Sequence, residues 1–384
     1  MRRSDAVIDP GEFVIDRKTG QVRQAGASQA MGNYVKEFRA EAEKSLYVFA
    51  KGVLGLSRLT NHLHKESADF LQRIPPYRKL LLLPRDHLKT SICSRSLPIH
   101  ILIQPKESNC YLPGRDGSES RVLLAAKTST NAQHQLRWIE GQFENCDILR
   151  ALWPHRCWNN PRKESRKWSE SEMMIPRPVD FPEASIETIG VGGKVTGRHY
   201  DIMIKDDLVD IEDANSQIVM QTAIEWHKAS RALMDDPDKG LEFILGTRWA
   251  VYDLYQEIID NDPTVETMIR AAVEDGQPIF PEMFGMPTIQ RLHRELGPRF
   301  MLLYMNNAAN PELTDFDAEQ IRYFMITANN IRFVEDERDA NLARETPNMD
   351  ARASAEQSMR GMRLNRETYD LVKQRAQYLR ARSS

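Results

Sequence analysis

The chain of 384 residues is 41% hydrophobic and 28% charged, with a formal net charge of −3 at pH 7. This composition is typical of a globular protein. Because the chain as a whole is not basic, any contact with nucleic acid must come from a local patch of positive charge. No run approaches the roughly 18 apolar residues of a transmembrane helix, and the N-terminus lacks the apolar core of a signal peptide, so no membrane association is predicted.

The first part of the chain is polar and then helical in pattern. Residues 1–32 are mostly polar with scattered glycines and are predicted to form a flexible N-terminal arm. From residue 34 to about 72, apolar residues recur at helical spacing, which predicts a helical lead-in. The run Leu80-Leu81-Leu82-Leu83 then predicts a strand that is buried on both faces.

The polar loop after this strand consists of Pro84, Arg85, Asp86, His87, Leu88, Lys89, Thr90 and Ser91. A buried strand, a loop and Lys-Thr at the start of a helix form the layout that holds the phosphates of a nucleoside triphosphate. Backbone N–H groups face the phosphates, Lys89 neutralises them and the Thr90 hydroxyl reaches Mg²⁺, so all eight residues are predicted to bind nucleotide. The usual pattern G-x-x-x-x-G-K-[ST] would place glycine at Leu83 and Leu88, so the loop alone is a weak match.

The following elements alternate between strands and helices. Helices are predicted at 92–103 and about 131–149, with an irregular Trp-containing stretch at 153–172. Strands are predicted at 121–126, 185–190, 200–205 and 241–246. This alternation predicts an α/β fold of the P-loop NTPase type, in which helices cover both faces of a mostly parallel sheet.

Two adjacent carboxylates end the apolar strand Ile202-Met203-Ile204. At such a position one acid holds the water shell of Mg²⁺, and the next orients or deprotonates the attacking water. Asp206 is therefore assigned to the metal and Asp207 to catalysis. A solvated acidic turn that merely caps the strand is the alternative, but two half-motifs in the correct order, each at a strand end, favour the catalytic interpretation.

Two further loops fit the same pattern. Gly246, Thr247 and Arg248 follow the last strand, and since ligands bind outside the carboxyl ends of parallel strands, Thr247 or Arg248 could sense the γ-phosphate. A strand-end turn in which Gly246 supplies an unusual backbone angle is the alternative. The loop from Gly192 to Arg198 brackets Lys and Arg with glycines, which suits phosphate contact from a neighbour's ATP or from DNA. A solvated surface loop fits this segment equally well.

The composition divides the chain into three parts: an arm at 1–32, a P-loop domain with its helical lead-in at 33–315, and a tail at 316–384. The tail is rich in Arg, Glu, Asp, Gln and Met and has few β-branched residues. It is predicted to be helical and charged, or disordered, and its acidic residues are predicted to form a solvated face and not a metal site.

In their order, these motifs resemble the ATPase domain of the large terminase subunit of tailed bacteriophages. The resemblance runs from about residue 40 to 325 and rests mainly on Pro84-Arg85-x-His87-x-Lys89-Thr90, Val195-Thr196-Gly197-Arg198-His199-Tyr200-Asp201 ahead of Asp206-Asp207, and Gly246-Thr247-Arg248-Trp249. It implies a motor dependent on ATP and Mg²⁺ that moves double-stranded DNA into a procapsid. The implied partners are the portal protein, a terminase small subunit and further copies of the chain in a homo-oligomeric ring, in the cytoplasm of a bacterial host.

The same resemblance implies roles for single residues. Lys89 and Thr90 would bind phosphate and Mg²⁺, and Arg85 would be the loop arginine near the γ-phosphate, with a part in catalysis. Arg198 is a candidate for reaching a neighbour's ATP. The motif that couples hydrolysis to movement would correspond to Gly246, Thr247 and Arg248.

The chain departs from the family at two points. The family loop usually carries glycine where this chain has Asp86 and Leu88, which predicts reduced affinity or turnover. Family members continue into an RNase H-like nuclease domain, for which the residues after Phe316 are too few, so the tail is interpreted as a remnant of the linker and endonuclease activity is not expected. Two alternatives stay open: a helicase-like ATPase that tracks DNA, and a non-hydrolysing fragment that docks on a packaging complex.

Overall fold

The computed structural model describes residues 14–15, 22–23, 29–194, 196–307, 323–327 and 330–334, with side chains for 32–194 and 196–307. The chain divides into two compact units, Met1–Leu313 and Thr314–Ser384. The described helices and the central sheet belong to the first unit.

Short elements precede the central sheet. They are β1 (Val14–Ile15), β2 (Val22–Arg23), α1 (Gln29–Lys44), α2 (Leu46–Val48) and α3 (His64–Gln72), with a π-helical turn at Phe49–Val53. β1 and β2 pair antiparallel within the segment predicted as a flexible arm, and α1 begins in that segment too. Leu46, Phe49 and Leu63 are buried in the same apolar cluster as Leu81 of the sheet, so this helical region packs against the sheet.

A seven-stranded sheet forms the centre of the first unit, in the order β5-β6-β4-β7-β8-β3-β9. Its strands are β3 (Arg78–Leu82), β4 (Val122–Ala126), β5 (Glu172–Met173), β6 (Ile186–Gly190), β7 (Ile202–Asp206), β8 (Leu241–Gly246) and β9 (Val265–Ile269). All neighbouring strands pair parallel except β5, which is antiparallel to β6. Every residue of β3, β4, β7 and β8 is buried, as expected for parallel strands covered on both faces.

Helices cover the two faces of this sheet. The described α-helices after β3 are α4 (Leu97–Ile103), α5 (Ser129–Asn145), α6 (Asp147–Leu152), α7 (Pro161–Glu164), α8 (Ile211–Ala214), α9 (Gln217–Ser230), α10 (Leu254–Asn261), α11 (Met286–Leu296) and α12 (Arg299–Leu303). Leu81 joins an apolar cluster that includes α4 and α5, whereas Leu80 and Leu82 join a second cluster with α9 and α10. The α/β fold class predicted from the sequence, with a mostly parallel sheet between helices, is confirmed.

Two β-hairpins follow the central sheet in the chain. β10 (Val273–Glu274) and β11 (Gln277–Pro278) form one in the first unit, and β12 (Tyr323–Thr327) and β13 (Asn330–Val334) form one in the second unit. The sequence prediction for 316–384 missed this second hairpin, although its aromatic and β-branched runs favour strands. Within the described residues, no helix combines the length and the hydropathy needed to cross a membrane.

Candidate nucleotide-binding site

A cavity of about 620 Å³ lies at the carboxyl edge of the sheet, which is a size typical of small-molecule sites. Residues that follow β3, β4, β7 and β8 line it, because parallel strands end at the same edge. Six of the eight residues of the 84–91 loop line the cavity, together with Asp207 and Thr247. Pro84 and His87 are not among the lining residues.

The 84–91 loop bends through backbone angles that favour glycine. Asp86 and Leu88 have φ angles of 63° and 59°, in the left-handed region, at the two positions where the resemblance found in the sequence predicts glycine. Each such angle costs a residue with a side chain about 1–2 kcal/mol. The loop therefore makes a glycine-like turn without glycine, and contacts around it must offset the strain.

His87 supports the loop from beneath. Its ring is buried, stacks on Phe284 with ring centroids 4.8 Å apart and lies edge-on to Phe280. Burial lowers the pKa of His87 to about 4, so the ring is neutral near pH 7, and its Nδ1 donates to the Arg85 carbonyl oxygen at 2.9 Å. The Arg85 N–H donates in turn to the Leu303 carbonyl oxygen at 2.9 Å. His87, which the sequence assigned to nucleotide binding, thus contacts the underside of the loop.

The amine of Lys89 and the carboxylates after β7 meet at the cavity. Lys89 Nζ donates to Thr247 Oγ1 at 2.6 Å and lies 3.6 Å from Asp207 Oδ2. The Thr90 hydroxyl donates to Asp206 Oδ1 at 3.2 Å, between residues 116 positions apart in the chain. The fold therefore brings the two half-motifs of the sequence into direct contact.

Asp206 and Asp207 occupy different environments. Asp206 is buried, and this burial, with the charge of Asp207 as the next cause, raises the pKa of its carboxyl to about 7. The Asp207 side chain is 43% exposed, yet its Oδ1 atom is buried and has no hydrogen-bond partner among the described residues. Asp207 Oδ1 is therefore an oxygen of this pair that can accept a further contact, as a metal ligand must.

These oxygen atoms fit Mg²⁺. The Thr90 hydroxyl, the Asp206 carboxyl and the unpartnered Asp207 Oδ1 are hard oxygen donors, and Mg²⁺ usually takes one or two carboxylates besides phosphate oxygens and water. In the part of the chain that the structure describes, no group of three or more His, Cys, Asp or Glu side chains is arranged to hold a metal. A metal at this position would therefore share its shell with phosphate or water.

The loop after β8 divides its residues between the cavity and the core. Thr247 lines the cavity, whereas Arg248 is buried and donates from Nε to Asp253 Oδ2 at 2.9 Å. A Cβ atom on Gly246 would lie 2.0 Å from the Tyr255 ring, so close packing requires glycine there. Of the two residues proposed to sense the γ-phosphate, Thr247 reaches the cavity and Arg248 shapes the loop.

The described residues of the glycine-bracketed loop after β6 do not line the cavity. Gly192 and Gly197 have φ angles of 82° and 76°, and most of the described residues of this loop are exposed. The Arg198 side chain is 60% exposed and pairs with Glu187 of β6. Its suggested role toward a neighbour's ATP stays a prediction.

Several side chains of the cavity were missed from the sequence. Lys127 directly follows β4, so the rule that ligands bind beyond strand ends could have identified it. Arg58 and Phe284 come from segments outside the sheet, and nothing in their local sequence marks them. Trp249 also lines the cavity, and the Arg85 guanidinium lies 5.6 Å from its ring centroid, within cation–π range.

A distant likeness to a phage protein is found among solved structures. The large terminase of bacteriophage HK97 is similar to this chain with a TM-score of 0.39 and 12% sequence identity, over 61% of this chain and 47% of that chain. The matched part thus spans less than half the length of that protein. Neither a protein-family model nor a curated protein matches the sequence. At this similarity, function has to be inferred from the geometry of the cavity.

Proposed function

We propose that this chain binds ATP together with Mg²⁺ in the cavity and hydrolyses the ATP. The observation that carries this proposal is the meeting of the Lys89 amine, the Thr90 hydroxyl and the Asp206–Asp207 pair at one sheet edge, with Lys89 Nζ 3.6 Å from Asp207 Oδ2 and Thr90 Oγ1 3.2 Å from Asp206 Oδ1. Phosphoryl transfer depends mainly on positioning and on stabilising charge, and a cation, a hydroxyl and two carboxylates supply both.

Each side chain has a separate task in this proposal. The loop amides and the Lys89 ammonium hold the β- and γ-phosphates, and the exposed Arg85 guanidinium stabilises charge on the γ-phosphate. Thr90 and Asp206 hold the metal, which when bound neutralises charge that develops on the phosphate oxygens. Asp207, whose carboxylate is open to the cavity, orients the attacking water and accepts its proton.

Nucleotide binding would also change the loop after β8. The Lys89 amine donates to the Thr247 hydroxyl at 2.6 Å. A phosphate that takes this amine leaves Thr247 without its partner, and Thr247 is joined to the buried Arg248. This contact supports the assignment of 246–248 as the segment that responds to the state of the nucleotide.

We further propose that hydrolysis drives double-stranded DNA into a procapsid in the cytoplasm of a bacterial host. The support is the order of motifs that resembles the large terminase ATPase, together with a fold that brings the 84–91 loop, Asp207 and Thr247 to one cavity. The proposed partners are the portal protein, a terminase small subunit and other copies of this chain in a ring, where Arg198 would reach a neighbour's ATP.

ATP hydrolysis by the purified chain, with and without double-stranded DNA, tests the proposal. We expect activity that requires Mg²⁺, rises with DNA and falls at least about 100-fold in Lys89→Ala and in Asp207→Asn. Lys65→Ala, which breaks an exposed ion pair with Asp69 on α3, is the matched control. A chain that neither binds nor hydrolyses ATP would overturn the proposal.

Two other outcomes would favour the alternatives. Nucleotide binding without hydrolysis would favour a docking fragment of a packaging complex. Unwinding of a forked duplex would favour a helicase-like ATPase that tracks DNA.

A further inference from the structure

Asp207 is held in a strained backbone conformation. Its φ angle is 43°, in the left-handed region that residues with a side chain rarely adopt, and such angles persist only where surrounding contacts fix them. The Asp207 N–H donates to the Leu245 carbonyl oxygen at 3.0 Å. On its other side, the Asp207 carbonyl oxygen accepts from the Lys127 N–H at 3.3 Å. Leu245 of β8 and Lys127, directly after β4, therefore hold this residue through its backbone.

Beyond Asp207 the chain turns into the short helix α8. Leu208 and Val209 are buried, and Asp210 then caps α8 by accepting from the backbone N–H groups of its first turn. Asp213 closes the turn in return, because its Oδ2 accepts from the Asp210 N–H at 2.7 Å. Two carboxylates thus fix the geometry of the segment that leaves Asp207.

The side chain of Lys127 ties this turn back to β4. Its amine pairs with the Asp213 carboxylate and lies 3.4 Å from Asp210 Oδ1. The Asp213 side chain is 1% exposed, so removing the amine would leave a buried carboxylate without its ion-pair partner. Burial alone would lower the pKa of Lys127, but the hydrogen bond and charge of Asp213, with the charge of Asp210, outweigh it and raise the pKa. The amine therefore stays charged.

We infer that Lys127 is a positioning residue for Asp207, a role that rests on the proposed ATP hydrolysis. Lys127 contacts the chain on both sides of this turn. Its backbone N–H donates to the Asp207 carbonyl oxygen, and its amine pairs with the carboxylates of Asp210 and Asp213 at α8. Between these two points Asp207 cannot relax to an ordinary backbone angle, so its carboxylate stays at the cavity. Lys127 acts on the attacking water through Asp207.

Lys127→Met removes the amine and leaves Lys89 and Thr90 in place. We expect kcat for ATP hydrolysis to fall between about 10- and 100-fold, since a misplacement of about 1 Å has an effect of this size. KM and the affinity for a fluorescent ATP analogue should change less than about twofold, and Lys127→Arg should restore most of the rate. Lys65→Met, in an exposed ion pair of α3, is the matched control and should leave kcat unchanged.

The decisive comparison is made in the Asp207→Asn background. If Lys127 acts through Asp207, Lys127→Met lowers kcat in the wild-type chain but has no further effect once Asp207 is Asn. Losses that multiply in the double variant would overturn the inference, as would an equal rise in KM. If Lys127→Met does not fold, Lys127→Gln, which keeps a hydrogen-bond donor, gives the same comparison.

The two proposals fail in different ways. A wild-type chain that does not hydrolyse ATP overturns both of them. A wild-type chain that hydrolyses ATP, with Lys127→Met as active as Lys65→Met, overturns only the positioning role.

Discussion

The loop at 84–91 after β3 and the loop at 190–197 after β6 both follow buried strands, yet opposite means fix their backbones. The first has no glycine and places Asp86 and Leu88 at positive φ. The second uses glycine for its positive φ angles, at Gly192 and Gly197. Only the loop without glycine lines the cavity, among the residues that the structure describes.

The difference lies in what is packed beneath each loop. Under the 84–91 loop, His87 is buried on Phe284, and the Arg85 N–H donates to the Leu303 carbonyl oxygen. In the 190–197 loop, Trp226 Nε1 donates to the Gly193 carbonyl oxygen at 3.1 Å, while most described neighbours are exposed. Tertiary contacts can thus hold a turn that glycine would otherwise provide, so the absence of glycine from a loop does not exclude positive φ angles there.

The largest expected effect is a difference in ATP affinity between variants of the lysines in the two loops. Lys89→Ala removes a buried charge that faces the proposed phosphates, and we expect ATP affinity to fall at least about 100-fold. Lys194→Ala, at an exposed position of the other loop, should change ATP affinity less than about twofold without DNA. Isothermal titration calorimetry measures both, and equal losses would contradict the assignment of the cavity.

His87 of the first loop and His199, shortly after the second loop, form the next pair. His87→Ala leaves a hole between the loop and Phe284, and we expect the free energy of unfolding to fall by about 2–3 kcal/mol. His199→Ala, at an exposed side chain, should stay within about 0.5 kcal/mol of wild type. Urea denaturation gives both values. A loss below about 1 kcal/mol for His87→Ala would mean that the buried ring does not hold the loop.

The 84–91 loop also faces a buried carboxyl group, which predicts a dependence on pH. The pKa of Asp206 is raised to about 7, so below that pH the carboxyl is protonated and must lose its proton before it can hold Mg²⁺. Apparent Mg²⁺ affinity should therefore rise about tenfold per pH unit up to pH 7 and level off above it. Asp206→Asn should abolish this slope, and an unchanged slope in that variant would assign it to another group.

The smallest expected effects are changes in the free energy of unfolding, which should have opposite signs for substitutions in the two loops. Asp86→Gly places glycine at a left-handed angle on an exposed residue, and we expect the free energy of unfolding to rise by about 1 kcal/mol. Gly197→Ala forces a side chain into a left-handed angle and should lower the free energy of unfolding by about 1 kcal/mol. Chemical denaturation resolves both changes, and the same sign in both loops would refute the proposed difference in strain.

The fold class could be predicted because strands buried on both faces read as continuous apolar runs. The predicted strand at 241–246 has the bounds of β8, and three of the four residues in the predicted run Leu80-Leu81-Leu82-Leu83 lie within β3. β9 was missed because Val265–Ile269 is an edge strand that is mostly only partly buried, so its sequence has no apolar run. The local pattern of apolar residues predicts central strands well, because burial on both faces requires a continuous apolar run. Edge strands are predicted poorly, because they are only partly buried and lack such a run.

The candidate site could be predicted only in part. That Lys89, Thr90 and Asp206 would lie together followed from the rule for parallel strand ends, and the structure brings them together. Which loop residues turn toward the cavity did not follow. His87 packs on Phe284, which is distant in sequence, and Arg248 pairs with Asp253, so neither side chain lines the cavity. No local motif predicts these partners.

Trp249 gives the cavity an optical signal of its own. Of the six tryptophans in the chain, it is the one that lines the cavity, and a positively charged guanidinium lies 5.6 Å from its ring centroid. Indole emission depends on nearby charge, so a ligand that draws Arg85 away changes the fluorescence without any added dye. Occupancy of the cavity can thus be followed by intrinsic fluorescence in real time, even in variants that do not turn over.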